Sequence, residues 1–400
     1  MNNDLVAKLR KQLTRVTKLD FYRDKYRKAG IDHRDLKTMD DFRQIPYTDS
    51  KDIERDMFET HPPFGSLFPK QTTRVNFTPS GKGLMLVPNT ANDIKRMNEA
   101  NARTYGLAGL EAKDTLLLTF SHHLFAAGSQ IQGACERLGA KVISTGPGET
   151  ERTLDIINRF RVNVLYTNPS FAIKLAGMGM RGIKVLFGGG EPFSSVQGYK
   201  QKVRSALGSE TILIDTYALS HSMPTARECR YETGLHVVNE LVYLEIIDPE
   251  TGRVLQDGER GEIVITHLHK EAMPLYRYRT GDISMLKHIK CLCGCEETLP
   301  LGVFGRVDNM VKVKGVKVYP SQISLVLRTY PELSEKPYRL MISNKESGGE
   351  LLALEIKAEA SKSADLLRRH LKEILLINID ELRFVKEMPE GPLIEDCRWG

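Results

Sequence analysis

Between residues 114 and 217, short apolar runs alternate with stretches of helical periodicity. DTLLLTF (114–120) precedes GSQIQGACERLG, KVIS precedes ERTLDIINRF, and NVLYT precedes PSFAIKLAGM. IKVLFGG and TILIDTY complete the series, with another helical segment between them. Apolar runs this short, separated by helices of about 10–15 residues, predict βαβ units and a parallel sheet. The loops leaving the strands, FGGGEPFS and DTYALSH, lie where such a sheet binds its ligands.

From about residue 235 the pattern changes. HVVNELVYLEIIDPETGRVLQDGERGEIVITHL reads as strands joined by the tight turns DPETGR and QDGERG, which predicts an antiparallel, β-barrel-like subdomain over 235–300. A second change follows GRVDN (305–309). MVKVKGVKVYP reads as a hairpin turning at Gly315, and two strand–helix alternations follow it. The expected class is therefore α/β: an N-terminal domain over 1–305 with parallel sheets and the barrel-like part, then a small α+β domain over 306–400.

Composition narrows the functional classes. Apolar residues make up 41% and charged residues 27% of the 400, the balance of a globular protein rather than a disordered one. No apolar run is long enough to cross a bilayer, and MNNDLVAKLRKQLTRV has an amphipathic pattern without the apolar centre of a secretory signal. The expected location is the cytoplasm, without a membrane partner. The net charge of +6 is spread among acids, which argues against a nucleic-acid groove yet suits small anions.

Four stretches can carry chemistry. TPSGKG (78–83) combines glycines, hydroxyls and a lysine, as phosphate-wrapping loops do, but it departs from the Walker spacing, and taken alone it fits an ordinary hairpin turn better. GGGEPFS (188–194) ends a predicted strand with three glycines that let backbone lie flat against a planar ligand. RTGD (279–282) puts an acid after a turn, where a carboxylate can accept both hydrogen bonds of a ribose diol. GRVDN repeats the Arg/Asp pairing at the domain edge. Three of the six cysteines stand together as Cys291, Cys293 and Cys295, a clustering that argues for metal rather than disulfides in a chain without an export signal.

In this order, TPSGKG, GGGEPFS, DTYALSHS, EAMPLYRYRTGD and GRVDNMVKVKGVKVYPSQI resemble the phenylacetate–CoA ligase branch of the adenylate-forming superfamily. The likeness spans the chain, from FYRDKYRKAGI through HHLFAAGSQIQGACERLGAKVI to LEIIDPETG. It implies a two-step reaction: a carboxylic acid attacks ATP to give an acyl-adenylate and pyrophosphate, and coenzyme A then displaces AMP. An aromatic or other bulky acid is the implied substrate, in a specialised pathway. ATP/AMP, Mg²⁺ and coenzyme A are the implied small molecules, and a downstream acceptor enzyme and a homodimer stay open as partners.

The resemblance also implies residue roles. Asp282 binds the ribose, and Arg306 sits beside ribose or phosphate. Gly188, Gly189, Gly190, Glu191 and Pro192 hold the adenine, with Asp215, Thr216, Tyr217 and Ser220 on the facing turn. Thr78, Ser80, Lys82 and Gly83 occupy the phosphate-loop position, and Lys82, His221 and Arg306 are the groups expected at the reacting phosphate. His123, Phe125, Ala126 and Gly128 line the acyl pocket, and Asp308 is the hinge. Cys229, His236, Cys291 and Cys293 correspond to a structural zinc site of the branch, with free buried thiols as the competing reading.

Three positions depart from the pattern. Pro79 removes an N–H donor from the phosphate loop. His221 replaces a glutamate that helps to hold Mg²⁺, and imidazole suits that hard ion poorly, leaving a phosphate-contacting cation or an inert space-filler. The segment MPEGPLIEDCRWG carries no lysine after Lys386, where the family places one at the adenylation site. These departures keep two rivals in view: a relative that binds AMP or a thioester without efficient adenylation, and a nucleotidyl transferase.

Overall fold

A computed structural model of the chain describes residues 2–397 apart from 81, 192, 197, 223, 308–310, 314, 315, 319, 345–349, 360–362, 376 and 390. Pro192, Asp308 and Gly315, singled out above, lie outside the described residues. The chain separates into two compact units: one holds residues up to 193, 202–280 and 284–302, the other 194–201, 281–283 and those from 303 onward.

Among the described residues, the first unit is built on a nine-stranded sheet. Its order is Lys287–His288, Glu297–Leu299, Leu235–Val237, Ala226–Glu228, Ile212–Tyr217, Val185–Gly188, Val164–Thr167, Thr115–Leu118 and Lys141–Ser144. The last five strands are mutually parallel. Every residue of Val164–Thr167 and Val185–Gly188 is buried, as expected of strands covered on both faces, which explains their unbroken apolar runs. The helix Ala91–Leu107 starts at a reciprocal capping box between Thr90 and Asp93, and the helix Ala127–Leu138 stops at Gly139, whose φ of 96° needs no Cβ.

Strand order sets the binding crevice. Thr115–Leu118 has the next strand in sequence, Lys141–Ser144, on one side and Val164–Thr167 on the other. Successive connections therefore leave in opposite directions, and the loops after Thr115–Leu118 and Val164–Thr167 part there. Such a switch point opens a crevice at the carboxyl ends of the strands.

The strands read as barrel-like distribute over two open sheets. Ala226–Glu228, Leu235–Val237, Lys287–His288 and Glu297–Leu299 extend the parallel sheet through antiparallel pairs, beginning with Thr216 opposite Arg227. Val242–Ile247 and Arg260–His267 pair antiparallel and are followed in their sheet by Tyr278–Met285 and Gly305–Arg306. Alternation specifies antiparallel pairing without specifying whether a sheet closes.

The second unit holds the hairpin Val311–Val313/Val316–Val318, the helix Pro320–Arg328 and a four-stranded sheet with the helix Ala364–Leu375. That sheet is mixed. Tyr338–Asn344 and Glu350–Lys357 are antiparallel, and each has a parallel outer neighbour, Ile394–Asp396 and Glu381–Val385. Ile323, Leu327, Leu340, Leu354, Leu367 and Leu371 share its core. The two expected strand–helix alternations are thus a strand hairpin, a helix and two further strands. Among the described residues, no helix is long and apolar enough to cross a membrane.

Candidate active site

At the switch point the glycine run is shaped by its neighbours. A Cβ on Gly188 would stand 2.7 Å from the Phe193 ring and 3.0 Å from Pro169, and one on Gly190, at φ +76°, would stand 2.7 Å from Asn168 Nδ2. Asn168 donates from Nδ2 to the Gly189 carbonyl at 3.0 Å, and the Phe120 ring lies 3.6 Å from where a Gly189 Cβ would be. The Glu191 carboxylate accepts from the Ser170 N–H and Oγ–H at 2.7 and 2.9 Å, capping the first turn of the helix Pro169–Gly177. Flat backbone bordered by an amide and an aromatic ring suits a planar heterocycle. Phe120 and Asn168 escaped the sequence reading, since only strand order places the two strand ends side by side.

The turn after Ile212–Tyr217 carries the next group. The Asp215 backbone N–H donates to Glu228 at 2.7 Å, Thr216 Oγ1 accepts from Arg227 at 3.3 Å, and Tyr217, 9% exposed, pairs with Ala226. Ser220 follows, half-buried. The His221 ring packs 5.8 Å from that of Tyr278, and its Nε2 is buried with no partner among the described residues. Burial, with the Lys270 charge behind it, pushes the imidazole down to about 4. These surroundings therefore favour the neutral imidazole when no ligand is bound. A neutral nitrogen also fails to fit Mg²⁺.

TPSGKG is the tip of a hairpin. Across the antiparallel strands Thr72–Ser80 and Gly83–Thr90, Thr78 faces Met85 and Ser80 faces Gly83. Ladder pairing spends part of the backbone of this segment on the neighbouring strand, which leaves the hairpin tip and its side chains to meet a ligand. The Lys82 side chain projects at the tip, half-exposed and ion-paired with Glu59. Next to the hairpin runs the expected acyl segment, tied to it by the Phe77 N–H donating to the Leu124 carbonyl at 2.9 Å. His123 donates its N–H to Ser121 Oγ at 3.0 Å, Phe125 is 42% exposed and Ala126 is buried. A Cβ on Gly128 would stand 2.3 Å from the Ser121 carbonyl oxygen, so this fold-back admits only glycine.

In the second unit, Asp282 pairs across the strands with Arg306, and Arg306 Nη1 lies 3.1 Å from the Asp282 carboxylate. Asp282 is buried while its partner is half-exposed.

Cys229, His236, Cys291 and Cys293 converge, one donor atom from each lying within 4.8 Å of the others. Cys229 Sγ and Cys291 Sγ are 3.6 Å apart; thiolates around tetrahedral zinc at 2.3 Å stand about 3.8 Å apart. His236 Nδ1 is 2.9 Å from Thr298 Oγ1, while its Nε2 is buried and unpartnered among the described residues. Burial pushes the pKa of that imidazole down, which favours the neutral form that a ligand requires. The donor set fits zinc. Cys295 is outside this group, its thiol beside the Arg103 guanidinium.

A family model described as AMP-binding enzyme matches residues 82–272. Phenylacetate-coenzyme A ligase of Thermus thermophilus is 33% identical over 360 residues, 86% of this chain and 78% of that protein. The Escherichia coli protein of the same name is 31% identical over the same shares. Among solved structures, 2-hydroxyisobutyryl-CoA ligase in its postadenylation state superposes with a TM-score of 0.80 at 23% identity, covering 98% of this chain and 89% of that one. The likeness of fold, the glycine run at a strand end and the identity across most of the sequence agree: this chain belongs to the phenylacetate–CoA ligase family of AMP-binding enzymes.

Proposed function

We propose that the chain is an acid–CoA ligase. A substrate carboxylate oxygen attacks the α-phosphorus of ATP, the bond to the β-phosphate oxygen breaks, and pyrophosphate leaves with the electron pair. The thiolate of coenzyme A then attacks the acyl carbon, and AMP departs. The observation that carries this reading is the glycine run Gly188–Gly190, one strand from the switch point and bordered by Phe120 and Asn168, in a chain 33% identical to a phenylacetate–CoA ligase.

In this reading Gly188–Gly190, Phe120 and Asn168 seat the adenine, and Asp282 accepts from the ribose hydroxyls with Arg306 beside it. Lys82 meets the phosphates beyond the α position, where positioning and charge neutralisation supply most of the catalysis. Mg²⁺ enters bound to ATP, since His221 offers it no oxygen. His123, Phe125 and Ala126 border the acyl group, and the exposed Phe125 ring favours an aromatic or other bulky acid. Cys229, His236, Cys291 and Cys293 hold a structural zinc that pins the ends of the antiparallel strands and takes no part in the reaction.

The test is acid-dependent exchange of pyrophosphate into ATP over a panel of aromatic and aliphatic acids, followed by thioester formation with coenzyme A. Exchange with a bulky acid is the expected result. Folded protein that exchanges with none of them overturns the proposal.

A further inference from the structure

The residues between the helix Ser50–Arg55 and the hairpin serve no step above, yet they form a tightly tied loop. Asp56–Thr60 is a single π-turn. The Asp56 carboxylate, 6% exposed, accepts from the Ser66 N–H at 2.8 Å and from Ser66 Oγ at 2.9 Å, and lies 2.7 Å from His61 Nδ1. Gly65, at φ +75°, passes so close that a Cβ would stand 2.9 Å from Asp56 Oδ2. Met57 is buried, and its sulfur accepts from the Leu86 N–H at 3.4 Å, which seats the loop on the second hairpin strand. The backbone position of Glu59 is therefore set by the fold.

From that position Glu59 reaches across to the hairpin tip and pairs with Lys82. The bond holds the Glu59 carboxyl below its usual range. A polyphosphate arriving at Lys82 thus meets an anion already in place. Either the carboxylate swings away or the two negative charges share one ammonium, and both outcomes weaken binding.

We infer that Glu59 is a specificity-determining residue: it competes with the β- and γ-phosphates of ATP for Lys82 and leaves AMP, which carries neither, unaffected. This rests on the ligase reading and on Lys82 facing the phosphate chain. Both side chains are about half-exposed, so the effect has the size of an exposed ion pair, an affinity change of about two- to fivefold.

Calorimetry with ATP and with AMP tests it, using the wild type, Glu59→Gln, Lys82→Ala and the double variant at low and high salt. Glu59→Gln is expected to tighten ATP about two- to fivefold and to leave AMP unchanged. The gain should vanish when Lys82 is absent and shrink as salt rises. A variant whose ATP affinity is unchanged or weaker, one that tightens both nucleotides alike, or a gain that survives Lys82→Ala overturns the inference while leaving the ligase reading in place. A folded wild type that binds neither nucleotide overturns both.

Discussion

Gly281 and Arg306 are in contact, and the contact depends on the missing side chain. With φ at +75°, a Cβ at 281 would stand 2.7 Å from Arg306 Nη2, the guanidinium whose other nitrogen reaches Asp282 at 3.1 Å. The glycine of RTGD thus lets the chain turn and lets the arginine lie over the turn. Gly281→Ala is expected to cost about 1 kcal/mol or more in denaturant unfolding, since the left-handed conformation alone is worth that much. Asp282→Ala should fold normally and lose AMP affinity in calorimetry, because the acceptor of the ribose diol is gone. Full affinity retained by that variant counts against the ribose assignment.

Arg277, in the same RYRTGD stretch, has a structural task. It is 1% exposed, meets both oxygens of buried Glu245 at 3.0 and 3.2 Å, and donates to the Ile45 carbonyl at 2.8 Å and to Tyr47 Oη at 2.6 Å. One guanidinium thereby ties the N-terminal segment to the antiparallel sheet. Burial raises the Glu245 pKa and Arg277 opposes the rise, so removing the arginine strands a charge. Arg277→Met should destabilise by about 3–5 kcal/mol in urea, and adding Glu245→Leu should recover part of the loss.

Metal content gives an independent check. Purified protein is expected to contain one zinc per chain, and a strong chelator should lower Tm and release reactive thiols. His236→Ala should weaken retention and leave Cys295 as reactive as before, since that thiol is outside the converging group. Protein free of zinc in every preparation, with the same Tm before and after chelation, excludes the site.

The neutrality of His221 has a pH signature. Its folded-state pKa lies at about 4, below the ordinary imidazole value of 6.5, so between these values the unfolded chain binds more protons. Stability from this group is complete above 6.5 and is lost as pH falls towards 4, at about 1.4 kcal/mol per pH unit at most. Urea unfolding across this window should show the loss in the wild type and a flatter profile in His221→Gln. Equal slopes in the two proteins would falsify the buried, neutral assignment.

Much of this molecule is local and therefore legible in its residues. Apolar runs such as VLYT and VLFG are buried at every position, and the helix Ala91–Leu107 starts at its Thr90/Asp93 capping box, because burial and capping act over a few neighbours. The metal group and the Asp282–Arg306 pair belong to motifs whose spacing is set by strand pairing. The hairpin at TPSGKG was one of the two readings that its residues allow. A glycine-rich turn and a phosphate loop have the same composition, and they differ in whether backbone donors are spent on a neighbouring strand.

Residue order by itself determined the alternating α/β frame, the glycine run at a strand end, the acid of RTGD and the cysteine cluster 291–295. Long-range packing settled the rest: which strands adjoin at the switch point, that Phe120 and Asn168 flank the glycines, that Glu59 holds Lys82, and that the His221 surroundings favour its neutral form. These depend on desolvation and on contacts between residues far apart in the chain, and a one-dimensional pattern carries neither the dielectric around a side chain nor the identity of its distant neighbour.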